Sequence, residues 1–402
     1  VDHELETNVR TPSIGTSKVP IGIAAFLLIV FALLMFAKGR PLFFQNPSLR
    51  VAETAISIWE HQTIVQPSYY KLYDELTAMS KTENKAYVQD VFSVGGDGQL
   101  VPKHCVMLAF IAAPMYGIFG WFGFWLLNQL VILAIVYSLF RLTSRLSGKD
   151  TGLYTVAAVF VGTSTIFSSY GMSYDLLAAM LIVVGFERSF ERPFLGNLLL
   201  ALSLMVRPTN AIFLPLVIVP WLMKTPISRQ RMALAIGGLA AGAGVLLLTN
   251  AWIWGHPLTC SYLRLPQFLA GEVTIGREAH HVDGFILFND LWAKLLGQPN
   301  GLFRFNIFLV LLPLAFLHVL KHTKQRLFFF VSGIALLNCL VIFSYPYWGA
   351  SSVGNRFLLP SIYLFLVPII VFLSERFPVS LGASKVDSVS LEQLPQPTPQ
   401  RS

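Results

Sequence analysis

Apolar runs separated by short polar connections dominate the chain. Runs near the roughly 17–25 residues that cross a bilayer of about 30 Å recur at 20–37, 121–140, 151–170, 174–186, 194–206, 209–223, 232–254, 302–320, 327–345 and 357–373. They predict an all-α polytopic membrane protein of about ten transmembrane helices. The first run is longer than the core of a signal peptide and reads as a retained helix. Two long polar stretches, 39–104 and 255–301, interrupt the series as two large loops. The apolar stretch 105–120 carries Pro114, Gly117 and Gly120 and would break the alternation if counted, so it reads as an interfacial or re-entrant helix. Residues 1–19 form a polar tail, 20–377 the membrane domain, and 378–402, rich in Ser, Pro and Gln, a disordered tail.

Charge orients this series. Charged residues make up 12% of the chain, against about 25% in a soluble domain. The net charge of +8 does not form a basic stripe on a polar fold, which argues against nucleic acid as a partner. With the N-terminus cytoplasmic, every short cytoplasmic connection is basic: Arg141/Arg145/Lys149, Arg188/Arg192, Lys224/Arg229/Arg231 and Lys321/Lys324/Arg326, then Arg376 in the tail. Both large loops then lie extracytoplasmic, as does the short connection before Arg356. No internal repeat supports an inverted-repeat transporter.

The unusual polar groups collect on that outer face. Asn46 and Arg50 follow the first run, and a guanidinium fork suits phosphate oxygens; a snorkelling arginine and a helix-capping asparagine explain them equally well. Asp90 and Asp97 supply carboxylates that can take a proton from an acceptor hydroxyl. Gly95, Gly96 and Gly98 allow tight turning and close approach to a ligand. Lys103 and His104 stand where the chain re-enters the membrane and can face a lipid phosphate. Asp175 opens a span, where a helix N-terminus favours a carboxylate, and at that depth it is also a substrate-binding candidate. Arg207 is recessed towards the bilayer and needs an anion, either a headgroup or Asp175. Asn355 and Arg356 sit at the mouth of the last span, Arg356 being the best candidate for holding a phosphate. The pattern His280-His281-x-Asp283 lacks a further spaced ligand for a metal site. Cys105, Cys260 and Cys339 contain no CxxC pair; a Cys105–Cys260 bridge is conceivable.

Several of these segments resemble the GT-C glycosyltransferases, in particular the bacterial polyprenyl-phosphate-mannose-type, family 39-like branch. The resemblance is carried by Asn46-Pro-Ser-Leu-Arg50 with Ala55-Ile-Ser57, by Asp97-Gly98 through Lys103, and by Ala113-Pro114-x-Tyr116-x-x-Phe119-Gly120. Asn250-Ala-Trp-Ile-Trp-Gly255-His-Pro257, Gly301-Leu-Phe303, and Trp348-Gly349 through Gly354-Asn355-Arg356-Phe-Leu-Leu-Pro360 continue it, so that it spans about residues 19–373. It implies a GT-C-like helical bundle with an outer-face cavity, a polyprenyl-phosphate sugar donor entering from the bilayer, and inverting transfer by a carboxylate base in the first loop. Membrane lipid, an acceptor of open identity and membrane-complex partners are the implied partners; no cofactor is implied, and a divalent-metal requirement is left open. The chain departs from the family where Asn46-Pro47 replaces the early acidic residue and Lys103-His104-Cys105-Val106 replaces a Lys-Pro-type exit. Asp90 or Asp97 is then the base, with Arg356, Lys103, Arg207 and Arg50 on the donor phosphate and Asn46, His104, Asp175 and Asn355 lining the substrate. The competing readings are a transporter or flippase for a lipid-linked or anionic substrate, and a non-catalytic subunit that keeps the scaffold.

Overall fold

The computed structural model describes residues 19–37, 46–65, 92–103, 106–169, 172–219, 228–269, 272–276, 291–297, 301–321, 325–344 and 356–378. In chain order these form α1 (Val19–Ala37), α2 (Asn46–His61), β1 (Phe92–Val94), β2 (Leu100–Pro102), α3 (Val106–Phe119), α4 (Trp121–Ser147), α5 (Gly152–Phe160) and the single turn α6 (Thr165–Ser168). There follow α7 (Tyr174–Ser189), α8 (Pro193–Val206), a 3₁₀ segment (Pro208–Ile218) and α9 (Arg229–Trp254). A ribbon, β3 (Leu265–Leu269) and β4 (Glu272–Gly276), precedes α10 (Leu291–Leu296), α11 (Leu312–Val319), α12 (Gln325–Phe343) and α13 (Leu359–Arg376). The fold is a helical bundle with two small antiparallel ribbons, β1–β2 and β3–β4.

Each apolar run coincides with helical structure. Among the described residues, α4, α9, Arg326–Phe343 of α12, and Arg356–Arg376, which includes α13, are long and apolar enough to cross a membrane. Helix boundaries follow local chemistry. Ser173 and Ser228 cap α7 and α9 by accepting from the N–H groups of Leu176 and Arg231, and Gly148 and Gly255 end α4 and α9 in the left-handed conformation.

Three runs depart from the expected regular helix. The run at 209–223 is a 3₁₀ segment through Ile218, because Pro208 and Pro215 each remove an N–H donor and disfavour α-helical bonding. The run at 151–170 breaks after Phe160, where polar Thr163 and Ser164 intervene; Asn306 Oδ1 accepts from the Ser164 N–H at 3.1 Å, and Thr165 and Tyr363 hydroxyls meet at 2.6 Å. The run at 302–320 starts as a 3₁₀ turn, Ile307–Leu311, before α11. The stretch expected to be interfacial or re-entrant is a continuous helix, α3, that packs against α2 within one apolar cluster containing Val51, Ala52, Ala55, Ala109, Ala112 and Ala113. The first large loop therefore contains an amphipathic helix and a hairpin.

The bundle has two chemically distinct ends. At one, the C-terminal turns of α4, α7 and α13 meet. Arg141 donates to Glu191 at 2.7 Å and lies 3.3 Å from buried Glu187, Arg145 also pairs with Glu191, and His318 Nε2 reaches Glu375 at 2.7 Å. Burial opposes ionisation of Glu191, but Arg141 and Arg145 outweigh it and hold its carboxyl below the usual carboxylate range. That contribution is present above the ordinary glutamate pKa and is lost only as pH falls through the lowered value. The opposite end carries the N-termini of α4 and α7, the C-termini of α8 and α9, and both ribbons.

There the β1–β2 hairpin docks onto the end of α9. Gly96 N–H donates to Ile253 O at 2.9 Å, Trp254 Nε1 donates to Ser93 Oγ at 3.1 Å, and Arg264 donates to the carbonyls of Val94 at 2.6 Å and Gly95 at 2.9 Å. The close approach expected of these glycines is made to backbone: a Cβ on Gly96 would stand 2.9 Å from the Gly255 backbone nitrogen. Gly98, with φ +78, closes the turn. Gly96→Val is therefore expected to detach the hairpin from α9, read as faster hydrogen exchange at residues 92–102. Unchanged protection there would show that the hairpin is held by other means.

Candidate functional site: an apolar cavity beside an arginine–aspartate cluster

The site lies where the hairpin, α3, α8 and α9 converge. A cavity of about 300 Å³ runs between them, lined by Lys103, Val106 and Met107 on one side and by Leu204 to Val206 on another. Leu246, Asn250 and Trp254 form the α9 wall, with Cys260 and Ser261 beyond it. From Trp254 to Leu246 the α9 wall extends about 12 Å along the helix, so the cavity reaches from the hairpin end towards the middle of the bundle. Its lining is mostly apolar. Asn250 is held in place by donating to Pro257 O at 3.1 Å. Lys103, immediately after β2, is 7% exposed and forms part of this wall. No carboxylate lines the cavity among the described residues.

Tyr174 also lines the cavity, and its ring connects it to a charged cluster. Asp175, next in sequence and 2% exposed, lies 2.7 Å from Arg207 Nε through Oδ1 and 3.3 Å from Arg356 Nε through Oδ2. Both guanidiniums lie over the Tyr174 ring, at 5.2 Å for Arg207 and 5.7 Å for Arg356. Both also lie over Phe357, at 4.0 Å and 5.5 Å respectively. Local structure sets these positions. Arg207 follows the last turn of α8 in extended conformation, ahead of Pro208. The start of α7 is pinned by Asn128 of α4, whose Oδ1 accepts from the Ser173 N–H at 3.2 Å and whose amide donates to Ser168 O at 3.0 Å.

The sequence candidates separate into groups. Arg207, Asp175 and Arg356 are brought into direct contact, and Lys103 lines the cavity together with Tyr174. Of the two explanations for Asp175 and Arg207, their ion pair is formed, with Arg356 as a third member. Arg50 pairs instead with Glu53 at 2.6 Å within α2. Asn46 begins α2. Asp97 is exposed in the turn of the β1–β2 hairpin and is not part of the cavity lining. Asp90, His104, Asn355 and the His280-His281-x-Asp283 pattern lie outside the described residues, as do 1–18 and 379–402 of the two tails. Cys260 is a free thiol, so the conceivable bridge to Cys105 is not formed. Sequence reasoning missed Tyr174, Phe357, Asn250 and Trp254 as parts of the site. Asn250, Trp254 and Phe357 fall inside the segments quoted above and Tyr174 stands beside Asp175, but belt aromatics and capping amides give the same signal.

The fold is that of a polytopic helical membrane protein. Among solved structures the chain is similar to ArnT from Cupriavidus metallidurans bound to undecaprenyl phosphate, with a TM-score of 0.51 and 9% identity over 90% of this chain and 61% of that one. At that identity the likeness concerns the fold, and this chain spans less than two thirds of the other's length. No family model matches the chain, and no curated protein does.

Proposed function

We propose that the protein is a membrane glycosyltransferase that takes a sugar, a hexose in the simplest form, from a polyprenyl-phosphate donor and passes it with inversion to an acceptor hydroxyl at the extracytoplasmic face. The membrane is the bacterial inner membrane, with the N-terminus cytoplasmic. One observation carries the reading: a mostly apolar cavity is lined by buried Lys103 and by Tyr174, whose ring also carries the guanidiniums of Arg207 and Arg356. A lipid phosphate is an anion that brings its own apolar tail, which suits a mostly apolar cavity with a lysine in its lining. The ArnT structure, which holds undecaprenyl phosphate, supports this choice of lipid.

About 300 Å³ is at the lower end for small-molecule sites, room for the phosphate and the first isoprene units. The rest of the tail lies in the bilayer along the exposed flank of α9, where Val245, Leu248 and Trp252 face outward. Lys103, with Arg207 and Arg356, stabilises the charge that develops on the leaving phosphate. The acceptor oxygen attacks the anomeric carbon and the carbon–oxygen bond to phosphate breaks. Its electron pair leaves with the polyprenyl phosphate, and the acceptor proton passes to a carboxylate. Asp90 or Asp97 of the first outer loop takes that proton.

A second reading has its own support. Because no described carboxylate lines the cavity, the chain also fits a lipid-phosphate-binding, non-catalytic subunit of a membrane complex. Purified protein incubated with radiolabelled polyprenyl-phosphate sugars separates the two. Loss of label from the lipid, abolished in an Asp90→Asn/Asp97→Asn double variant, is the expected result. Binding without turnover favours the subunit. Binding is read independently at Cys260, which lines the cavity: in a Cys105→Ser background, polyprenyl phosphate should slow its alkylation. No protection at any lipid concentration would remove the cavity from both readings.

A further inference from the structure

Asp175 poses an electrostatic puzzle. A site for an anion gains from positive potential, yet a buried carboxylate stands at its head. The two arginines it contacts come from parts of the chain about 150 residues apart, one after α8 and one before α13. They share the same two aromatic rings, Tyr174 and Phe357. Two guanidiniums placed over one pair of rings repel each other, and a carboxylate offering one oxygen to each offsets that repulsion. Arg207 Nε donates to Oδ1 at 2.7 Å, which sets the direction in which that planar group points, while Arg356 Nε is held beside Oδ2 at 3.3 Å as an ion-pair contact.

We propose that Asp175 is a positioning residue that orients Arg207 and Arg356 towards one common anion, the phosphate of the lipid-linked substrate, and that it does so at the expense of net positive charge. This rests on the reading of the cavity as a polyprenyl-phosphate site. Asp175 touches neither sugar nor phosphate; it acts through the arginines. On this reading Asp175 belongs with the architecture of the site.

Orientation and net charge make opposite predictions for one substitution. Asp175→Asn raises the charge of the cluster by one. If net charge governs, polyprenyl monophosphate binds more tightly; if orientation governs, it binds more weakly. Affinity is read as the lipid concentration that protects Cys260 from alkylation, in a Cys105→Ser background, on protein that elutes as a single folded species. The expected result is about tenfold weaker protection for Asp175→Asn, equivalent to ~1.4 kcal/mol, with Asp175→Glu recovering most of it. Should Asp175→Asn fail to fold, Arg356→Lys carries the same test. It keeps the charge but loses the planar fork, and is also expected to weaken protection. Wild-type or tighter protection in Asp175→Asn, or unchanged protection in Arg356→Lys, overturns the proposal while leaving the lipid site intact. Absence of protection in the wild-type background overturns the lipid site and the proposal together.

Discussion

Lys103→Met is expected to weaken polyprenyl-phosphate binding about 100-fold and to reduce sugar transfer at least as much. Lys103 lines the cavity and is almost entirely buried. Methionine preserves the length and apolar character of the stem, so the cavity keeps its shape and loses the charge. A phosphate entering the altered cavity would be desolvated without that counter-ion. Removing one partner of a buried charge pair typically costs 2–5 kcal/mol, and about 2.7 kcal/mol is a factor of 100. Lys103→Arg retains the charge but spreads it over a wider planar group, so partial binding is expected. The measurement is Cys260 protection by polyprenyl phosphate alongside label transfer. Lipid binding by Lys103→Met at wild-type affinity would place the phosphate elsewhere, and with it the proposed cavity chemistry.

Lys103 also shows how much of the site was legible in the sequence. A cation where the chain re-enters the membrane stands out against 12% charged residues, as do Asp175, Arg207 and Arg356, because charge at membrane depth demands a partner. Pairing Asp175 with Arg207 required little more than that rule. Adding Arg356 did not follow, since it approaches from far along the chain and periodicity carries no information about which helix ends meet. The aromatic members were less legible still. Tyr174 and Phe357 stand beside charged residues at helix starts, where interfacial aromatics are ordinary, and their stacking under two guanidiniums depends on tertiary packing. The glycines of the β1–β2 hairpin were legible as places of close approach, but that Gly96 approaches the backbone at Gly255 depends on tertiary packing. Apolar runs likewise placed helices well and their internal regularity poorly: the prolines at 208 and 215 announce a departure from α-helix without specifying a 3₁₀ segment.

Gly196→Val is expected to destabilise the protein by at least about 1–3 kcal/mol and to weaken lipid-phosphate binding, although Gly196 is far from the cavity. Gly196 lies near the start of α8, about 15 Å along the helix from Val206. It is where α8 crosses α7 most closely: a Cβ there would stand 2.3 Å from the Ser189 nitrogen and 2.7 Å from the Gly185 oxygen. Both obstacles are backbone atoms, so no side-chain rotation relieves the clash and the two helices must separate. The consequence travels along the hairpin they form. The far end of α7 carries Tyr174 and Asp175, and the far end of α8 carries Val206 and Arg207. A wedge at one end therefore tilts Asp175 away from Arg207 at the other. Gly244→Ala on α9 is the control, because a Cβ there meets nothing within 4 Å and alanine favours helix by up to about 1 kcal/mol over glycine. Its thermal stability should stay unchanged or rise. Detergent-solubilised unfolding curves and Cys260 protection measure the two effects. If Gly196→Val unfolded like the wild type, α7 and α8 would not cross at backbone contact. If it were destabilised but bound lipid normally, the Asp175–Arg207 geometry would not depend on the crossing.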